Sequence, residues 1–149
     1  VMAKNKFEPS RFIYKTVVLD ASVLVKVFFE ERGSEEASEL LKYKMQGVTT
    51  VLATPLMIFE FLNIVSRKAE DREQALEIFK RFKEFGIGLL EPGDDYVEEA
   101  IAVVHENPEI SYYDASYHAL AKDLDTVFLT ADKKFYNAMK GDKHIELFG

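Results

Sequence analysis

The sequence predicts an α/β domain in which a mostly parallel sheet of about five strands carries helices on both faces. Three observations predict it. Near-continuous apolar runs, TVVL at 16–19, TTVLA at 49–53 and TVFLT at 126–130, are what parallel strands buried on both sides require. Segments whose apolar residues recur at helical spacing stand between these runs. The chain of 149 residues, 48% hydrophobic and 30% charged, suffices for one domain with a buried core and no disordered majority.

The elements follow in order. The first fifteen residues, VMAKNKFEPSRFIYK, mix charges and lack a continuous apolar h-region, so they read as a lead or remnant at 1–15 and not as a secretory signal. The domain proper takes 16–149. TVVL opens the sheet and Asp20 ends it, before a helical SVLVKVFFE at 22–30. After Gly33, SEEASELLKYKMQ sets Ala37, Leu40 and Leu41 on one stripe, with Met45 a candidate at its end. TTVLA is the second strand. PLMIFEFLNIVSRK then opens on Pro55, in a first turn where a missing N–H does no harm. DREQALEIFKRFKEF places Leu76, Phe79, Phe82 and Phe85 at helical spacing, a core stripe, and stops at Gly86. GLL at 88–90 is a third strand, and GDDYVEEAIAVVHEN puts acids in its first turn before Asn107-Pro108 ends it. SYYDASYHALAKD at 111–123 leads into TVFLT, DKKFYNAMK at 132–140 stops before Gly141, and HIELF at 144–148 is a weak last strand.

Composition narrows the function classes. Nineteen basic against 26 acidic residues give a net charge of −7, which does not attract phosphates by its overall field. A nucleic-acid role therefore needs a local site, for which a bound cation is one candidate. The absence of cysteine removes disulfides, thiolate zinc sites and cysteine nucleophiles, and fits a reducing, cytoplasmic setting. The longest apolar stretch, Val17 to Phe29, is interrupted by Asp20 and Lys26, so no membrane span is expected.

Four acids carry the chemistry. Asp20 follows the first strand and Asp132 the fourth, and either is explained by helix capping alone. Asp114 lies three residues after Ser111, which a capping box also explains. Glu60 is different: it stands mid-helix in LMIFEFLNIV, where no cap is needed. Asn63 and Arg67 continue a polar seam from it, and a buried Glu60–Arg67 pair is the competing account. Strand ends and helix starts place all four acids at the sheet's carboxyl edge, where α/β sheets bind ligands. Converging carboxylates resist ionisation together. A hard cation, Mg²⁺ or Mn²⁺, resolves the repulsion through oxygen ligands, and three histidines without cysteine make zinc a poorer choice. Such a site suits phosphodiester hydrolysis, with Lys26, Arg67, Lys133 or Lys134 near enough in sequence to receive phosphates. Lys134 reads better as ordinary surface.

VVLDASVLVK, TPLMIFEFLNIVSRK and YYDASYHALAKDLDTVFLTADKKF together resemble the PIN-domain family, in particular its small VapC-like toxin nucleases. The last stretch carries two motifs; each motif alone is weak, and four in order over residues 16–148 are specific. The resemblance implies a PIN-like, Rossmann-like three-layer fold and an Mg²⁺- or Mn²⁺-dependent RNA endonuclease. It implies that Asp20, Glu60, Asp114 and Asp132 are catalytic metal ligands, that Ser22 and Thr130 support them by hydrogen bonds, and that Asn63 orients Glu60 or the substrate. It also implies homodimers and inhibition by a small antitoxin protein. The lead before Thr16 departs from relatives that start near the first strand.

Other functions stay in view. An aspartyl phosphatase needs an acid two residues after Asp20, where Ser22 stands. A receiver needs paired acids near its start, and Asp94 and Asp95 read better as first-turn helix acids. A PIN-like scaffold or binding module without catalysis, or an RNA-processing nuclease outside a toxin–antitoxin system, shares every motif. His118, one turn after Asp114, reads as structural among Tyr113, Tyr117 and Leu120. Twelve Phe and seven Tyr leave it evenly balanced whether an aromatic face stays open for a dimer or an antitoxin helix.

Overall fold

A computed structural model describes residues 7–91, 93–139 and 141–149. The first six residues of the lead and Lys140, the last residue of the expected 132–140 helix, lie outside them. The strands are β1 (Thr16–Leu19), β2 (Thr50–Ala53), β3 (Gly88–Leu89), β4 (Val127–Thr130) and β5 (Ile145–Leu147). They form one five-stranded sheet in the order β3-β2-β1-β4-β5, with every pairing parallel. The helices are α1 (Ala21–Leu24), α2 (Ser34–Met45), α3 (Leu56–Lys68), α4 (Arg72–Glu84), α5 (Asp94–Glu106), α6 (Tyr112–Asp123) and α7 (Lys133–Met139).

β1 is the centre of the sheet, and its sequence explains why. Successive strand residues face opposite sides, yet Val17, Val18 and Leu19 are all fully buried, so both faces are covered. Burying each such side chain contributes about 1.5–3 kcal/mol. The chain steps outward from β1 through β2 to β3 and then returns to β4 on β1's other side. Right-handed crossovers place α1 to α4 on one face and α5 to α7 on the other. The reversal of strand order falls between β1 and β4, and ligands bind outside the carboxyl ends of the strands at that point.

Aromatic packing fastens the α3–α4 side: Phe61 of α3 stacks on Phe82 of α4 at 4.2 Å between centroids, and Phe28 meets Phe61 edge-on at 5.6 Å. Across the sheet, Tyr117 of α6 stacks on Phe128 of β4 at 5.3 Å. Two N-caps match the sequence: the Asp71 side chain accepts from Gln74 N, and Ser111 Oγ accepts from Asp114 N.

Some expectations change. SVLVKVFFE does not form one helix; it makes the single turn α1 and then a 3₁₀ turn at Val25–Val27. Val23, Val25 and Val27 are β-branched, which disfavours a continued α-helix. On α4 the inward residues are Ile78 and Phe82, flanked by Ala75, Phe79 and Phe85, while Leu76 is 55% exposed. The expected stripe departs from the observed one at this end because i, i+3 steps drift around a helix of 3.6 residues per turn. Strands β3 and β5 are shorter than their apolar runs, with two and three residues.

The described part of the lead packs on the domain. A 3₁₀ turn at Pro9–Phe12 buries Phe12, which stacks on Phe7; Phe7 in turn meets Phe148 just after β5. Arg11 donates to both carboxylate oxygens of Glu146 at 2.6 and 2.9 Å, and Thr49 Oγ1 donates to Phe12 O. No described helix is long and apolar enough to cross a membrane.

Candidate active site

Asp20 leaves β1 at the reversal point and is 6% exposed. It does cap α1, accepting from Val23 N at 3.4 Å, so the capping account is correct for this residue. That account is also incomplete, because both oxygens are engaged by side chains. Ser22 Oγ donates to Oδ1, and Thr130 Oγ1 donates to Oδ2 at 2.8 Å. Both hydroxyls accept as well: Ser22 Oγ from Ala131 N at 3.1 Å, and Thr130 Oγ1 from Asp132 N at 3.1 Å. The ends of β1 and β4 are thus stitched together by Ser22 and Thr130. Burial pushes the Asp20 carboxyl up to about 6, against the lowering effect of those hydrogen bonds and with a further rise from Asp114.

Glu60 sits half-buried on α3. Its partner is not Arg67 but Tyr117, whose hydroxyl donates to Oε1 at 2.9 Å. Desolvation, then the charges of Asp20 and Asp114, push the Glu60 carboxyl up to about 7 against the lowering effect of the Tyr117 hydrogen bond. Tyr117 itself is raised by burial and by Glu60, so it remains protonated and a donor at any physiological pH. Asp114, one turn before Tyr117 on α6, is raised by burial first and then by Asp132, with Ser111 and Lys134 lowering it. Asp132 accepts from Lys134 N and Phe135 N at 3.0 and 3.2 Å, capping α7.

The four acids are therefore electrostatic neighbours in a chain of influence: Glu60 with Asp20 and Asp114, Asp20 with Asp114, and Asp114 with Asp132. Among the described residues no lysine, arginine or histidine forms an ion pair with Asp20 or Glu60. Buried carboxylates without a cation are expensive. The donor set, all hard oxygen, fits Mg²⁺ or Mn²⁺. Its spacing is open: no group of three or more Asp, Glu, His or Cys side chains among the described residues is close enough to enclose an ion as it stands.

Several expected partners lie elsewhere. Asn63 is exposed and accepts from Arg67 Nε at 3.3 Å, so it reaches Arg67 rather than Glu60. Lys26 donates to Glu31 and to Arg32 O, which turns it toward its own loop. Lys134, plain surface by its sequence, is the cation felt at Asp114. His118 is fully buried against Phe135, its Nε2 3.4 Å from Asp142, and takes no part in the acidic site. Tyr117 reads in the sequence only as packing around His118; its Glu60 contact spans 57 residues, and no local pattern signals such a pairing.

Comparison with known proteins agrees with this architecture. A search of curated proteins finds no match. Among solved structures, PAE2754 from Pyrobaculum aerophilum is 21% identical with a TM-score of 0.61, over 85% of this chain and 87% of that one. VapC20 of Mycobacterium tuberculosis, described as a Sarcin-Ricin loop cleaving toxin, is 16% identical with a TM-score of 0.61, over 83% and 95%. VapBC2 from Rickettsia felis, bound to a DNA fragment from its promoter, is 14% identical with a TM-score of 0.65, over 90% and 99%. At these identities the likeness is one of fold. The PIN domain family model matches residues 17–140, from β1 past the start of α7 and so across all four acids. The chain belongs to the PIN-domain family.

Proposed function

We propose that this protein is an Mg²⁺- or Mn²⁺-dependent endoribonuclease that hydrolyses RNA phosphodiester bonds and acts as the toxin of a toxin–antitoxin pair. The observation that carries the reading is the gathering of Asp20, Glu60 and Asp114, desolvated at the reversal point of the sheet, with no cation paired to Asp20 or Glu60 among the described residues. A structural role alone gives no reason to desolvate Glu60 where the charges of Asp20 and Asp114 raise it further. Asp20, Glu60 and Asp114 would hold the cation, with Asp132 at the margin of the set. Bound there, it would neutralise phosphate charge and make a water a better nucleophile. Ser22 and Thr130 fix the Asp20 carboxylate, Tyr117 fixes Glu60, and Lys134 lies where a phosphate could approach Asp114. Ionisation of Asp20 and Glu60 must precede metal binding.

The toxin assignment rests on the family and on the description of the VapC neighbour as a Sarcin-Ricin loop cleaving toxin. It carries with it a small antitoxin partner, a homodimer, a cytoplasmic setting and 16–149 as the nuclease domain. The test is cleavage of a broad panel of single-stranded RNAs by purified, partner-free protein with either metal. Asp20→Asn and Asp114→Asn are expected to abolish cleavage. Absence of cleavage across the panel, or a calorimetric titration without divalent-ion binding, defeats the reading.

A further inference from the structure

A second concavity opens beside the acids at the same edge of the sheet. It encloses about 220 Å³, and its walls include Thr54, Leu56, Glu91, Tyr96, Tyr112 and Tyr113. This is smaller than the ~300–1,000 Å³ of sites for drug-sized ligands, and suits one planar ring. Tyr112 and Tyr113 are 37% and 59% exposed, which is unusual for aromatic side chains with a core available. Thr54 is 3% exposed, and its Oγ1 makes no hydrogen bond of normal geometry, although the Tyr117 hydroxyl lies near enough to be perturbed by it. A buried hydroxyl without a partner costs about 1–3 kcal/mol, and this one is closed off from the cavity that its residue helps to line. Glu91 brings an acceptor, close enough for its charge to raise the Tyr96 hydroxyl.

The cavity and the acids share their supports. Leu56 is one turn before Glu60 on α3, so both lie on one side of that helix. Tyr113 immediately precedes Asp114 on α6. Thr54 neighbours Tyr117, which holds Glu60. A strand whose phosphate reached Asp114 would pass close to Tyr113, the residue before it.

We propose that this cavity seats one unpaired base of the RNA substrate and favours bases carrying an exocyclic amino group. The proposal deepens the nuclease reading and rests on it for the identity of the ligand. Unpaired bases stack on tyrosine regardless of sequence. Selectivity comes from Glu91, which when ionised only accepts hydrogen bonds. Guanine, adenine and cytosine present amino donors on their pairing edges. Uracil presents carbonyl oxygens on both sides of a single ring N–H, and these would face the carboxylate unfavourably.

The test separates base binding from chemistry. GMP, AMP, CMP and UMP are titrated into the full chain in EDTA, where nothing is cut, and followed by NMR shifts of the tyrosine ring protons. GMP, AMP and CMP are expected to bind at least about fivefold more tightly than UMP. Tyr113→Ala is expected to weaken all of them by between about fivefold and a hundredfold, the range of base stacking on an aromatic side chain. Tyr113→Phe keeps that binding, and Glu91→Gln removes the discrimination against UMP. Equal binding of the four nucleotides, or binding indifferent to Tyr113→Ala, overturns the proposal. So does a Tyr113→Ala variant that loses affinity only for a partner protein, since the cavity would then seat a protein side chain. Metal-supported cleavage by the wild type is measured in parallel. Its absence, with base-selective binding intact, sinks the nuclease reading and leaves the cavity a nucleobase site.

Discussion

Asp20→Asn separates function from stability in opposite directions. The Asp20 carboxyl titrates at about 6 in the fold against an ordinary 3.8, and each tenfold gain in proton affinity is worth ~1.36 kcal/mol. A carboxyl raised by folding binds its proton more tightly in the folded state. Its contribution to stability is therefore complete below about pH 4 and is lost as pH climbs through about 6. Above pH 7 the ionised, buried group costs the metal-free fold about 3 kcal/mol. Asparagine has nearly the same shape and no charge. It still accepts from Ser22 and Val23, but its amide faces Thr130 Oγ1, which must turn its own hydrogen away, a loss of about 1 kcal/mol. The variant should thus be more stable than wild type by about 1–2 kcal/mol at pH 8 in EDTA. For 149 residues that is a Tm rise of about 2–8 °C. The advantage should vanish at pH 4, where the wild-type carboxyl is protonated. Thermal melts at the two pH values, with and without Mn²⁺, make the measurement. Mn²⁺ should raise the wild-type Tm and leave the variant nearly unmoved. A variant that melts below wild type by the same margin at both pH values would show that the hydroxyls fully offset the burial of this charge, and Asp20 would then need no cation.

Other outcomes follow from the same geometry. Cleavage should rise with pH through about 6 to 7, as Asp20 and Glu60 ionise; a pH–rate profile falling across that window contradicts the assigned ligands. Tyr117→Phe removes the one donor that lowers Glu60, so the acidic limb of that profile should move upward while urea unfolding shows a loss of about 1 kcal/mol. Phe61→Ala strips the ring stacked between Phe82 and Phe28 and should cost about 3–5 kcal/mol by urea denaturation. Gly88→Ala would place a Cβ 2.7 Å from Leu52 Cδ2; an expected loss of about 1–3 kcal/mol is checked by the same denaturation.

What the sequence disclosed and what it withheld divide along a physical line. β1, β2 and β4 were legible because a strand covered on both faces must be apolar at every position, and Val17, Val18 and Leu19 are. Asp20 and Asp132 were placed correctly because a parallel strand delivers its last residue to the carboxyl edge whatever its neighbours do. Some failures are local, as where β-branched residues break the helix expected after Asp20 and Leu76 turns outward. The failures at the site concern partners chosen by tertiary packing. Glu60 bonds Tyr117 instead of Arg67, and Asn63 turns to Arg67. Lys26 bends back to Glu31 and Arg32. Thr54 and Glu91 carry no motif at all, and only the fold brings them beside the tyrosines of α6.

The hydroxyl groups of Thr130 and Tyr117 together alter how the acidic quartet behaves mechanically. Thr130 joins Asp20 to Asp132 through one oxygen atom, and Tyr117 joins Glu60 to the helix that carries Asp114. The four acids thereby fall into two couples, one seated on the strand ends and the other arching over the sheet from α3 to α6. Within each couple a hydrogen bond limits relative movement, while no hydrogen bond among the described residues ties Asp20 or Asp132 to Glu60 or Asp114. A cation proposed to bridge the acids would act across that gap, between parts that two hydroxyl-bearing residues outside the quartet already hold.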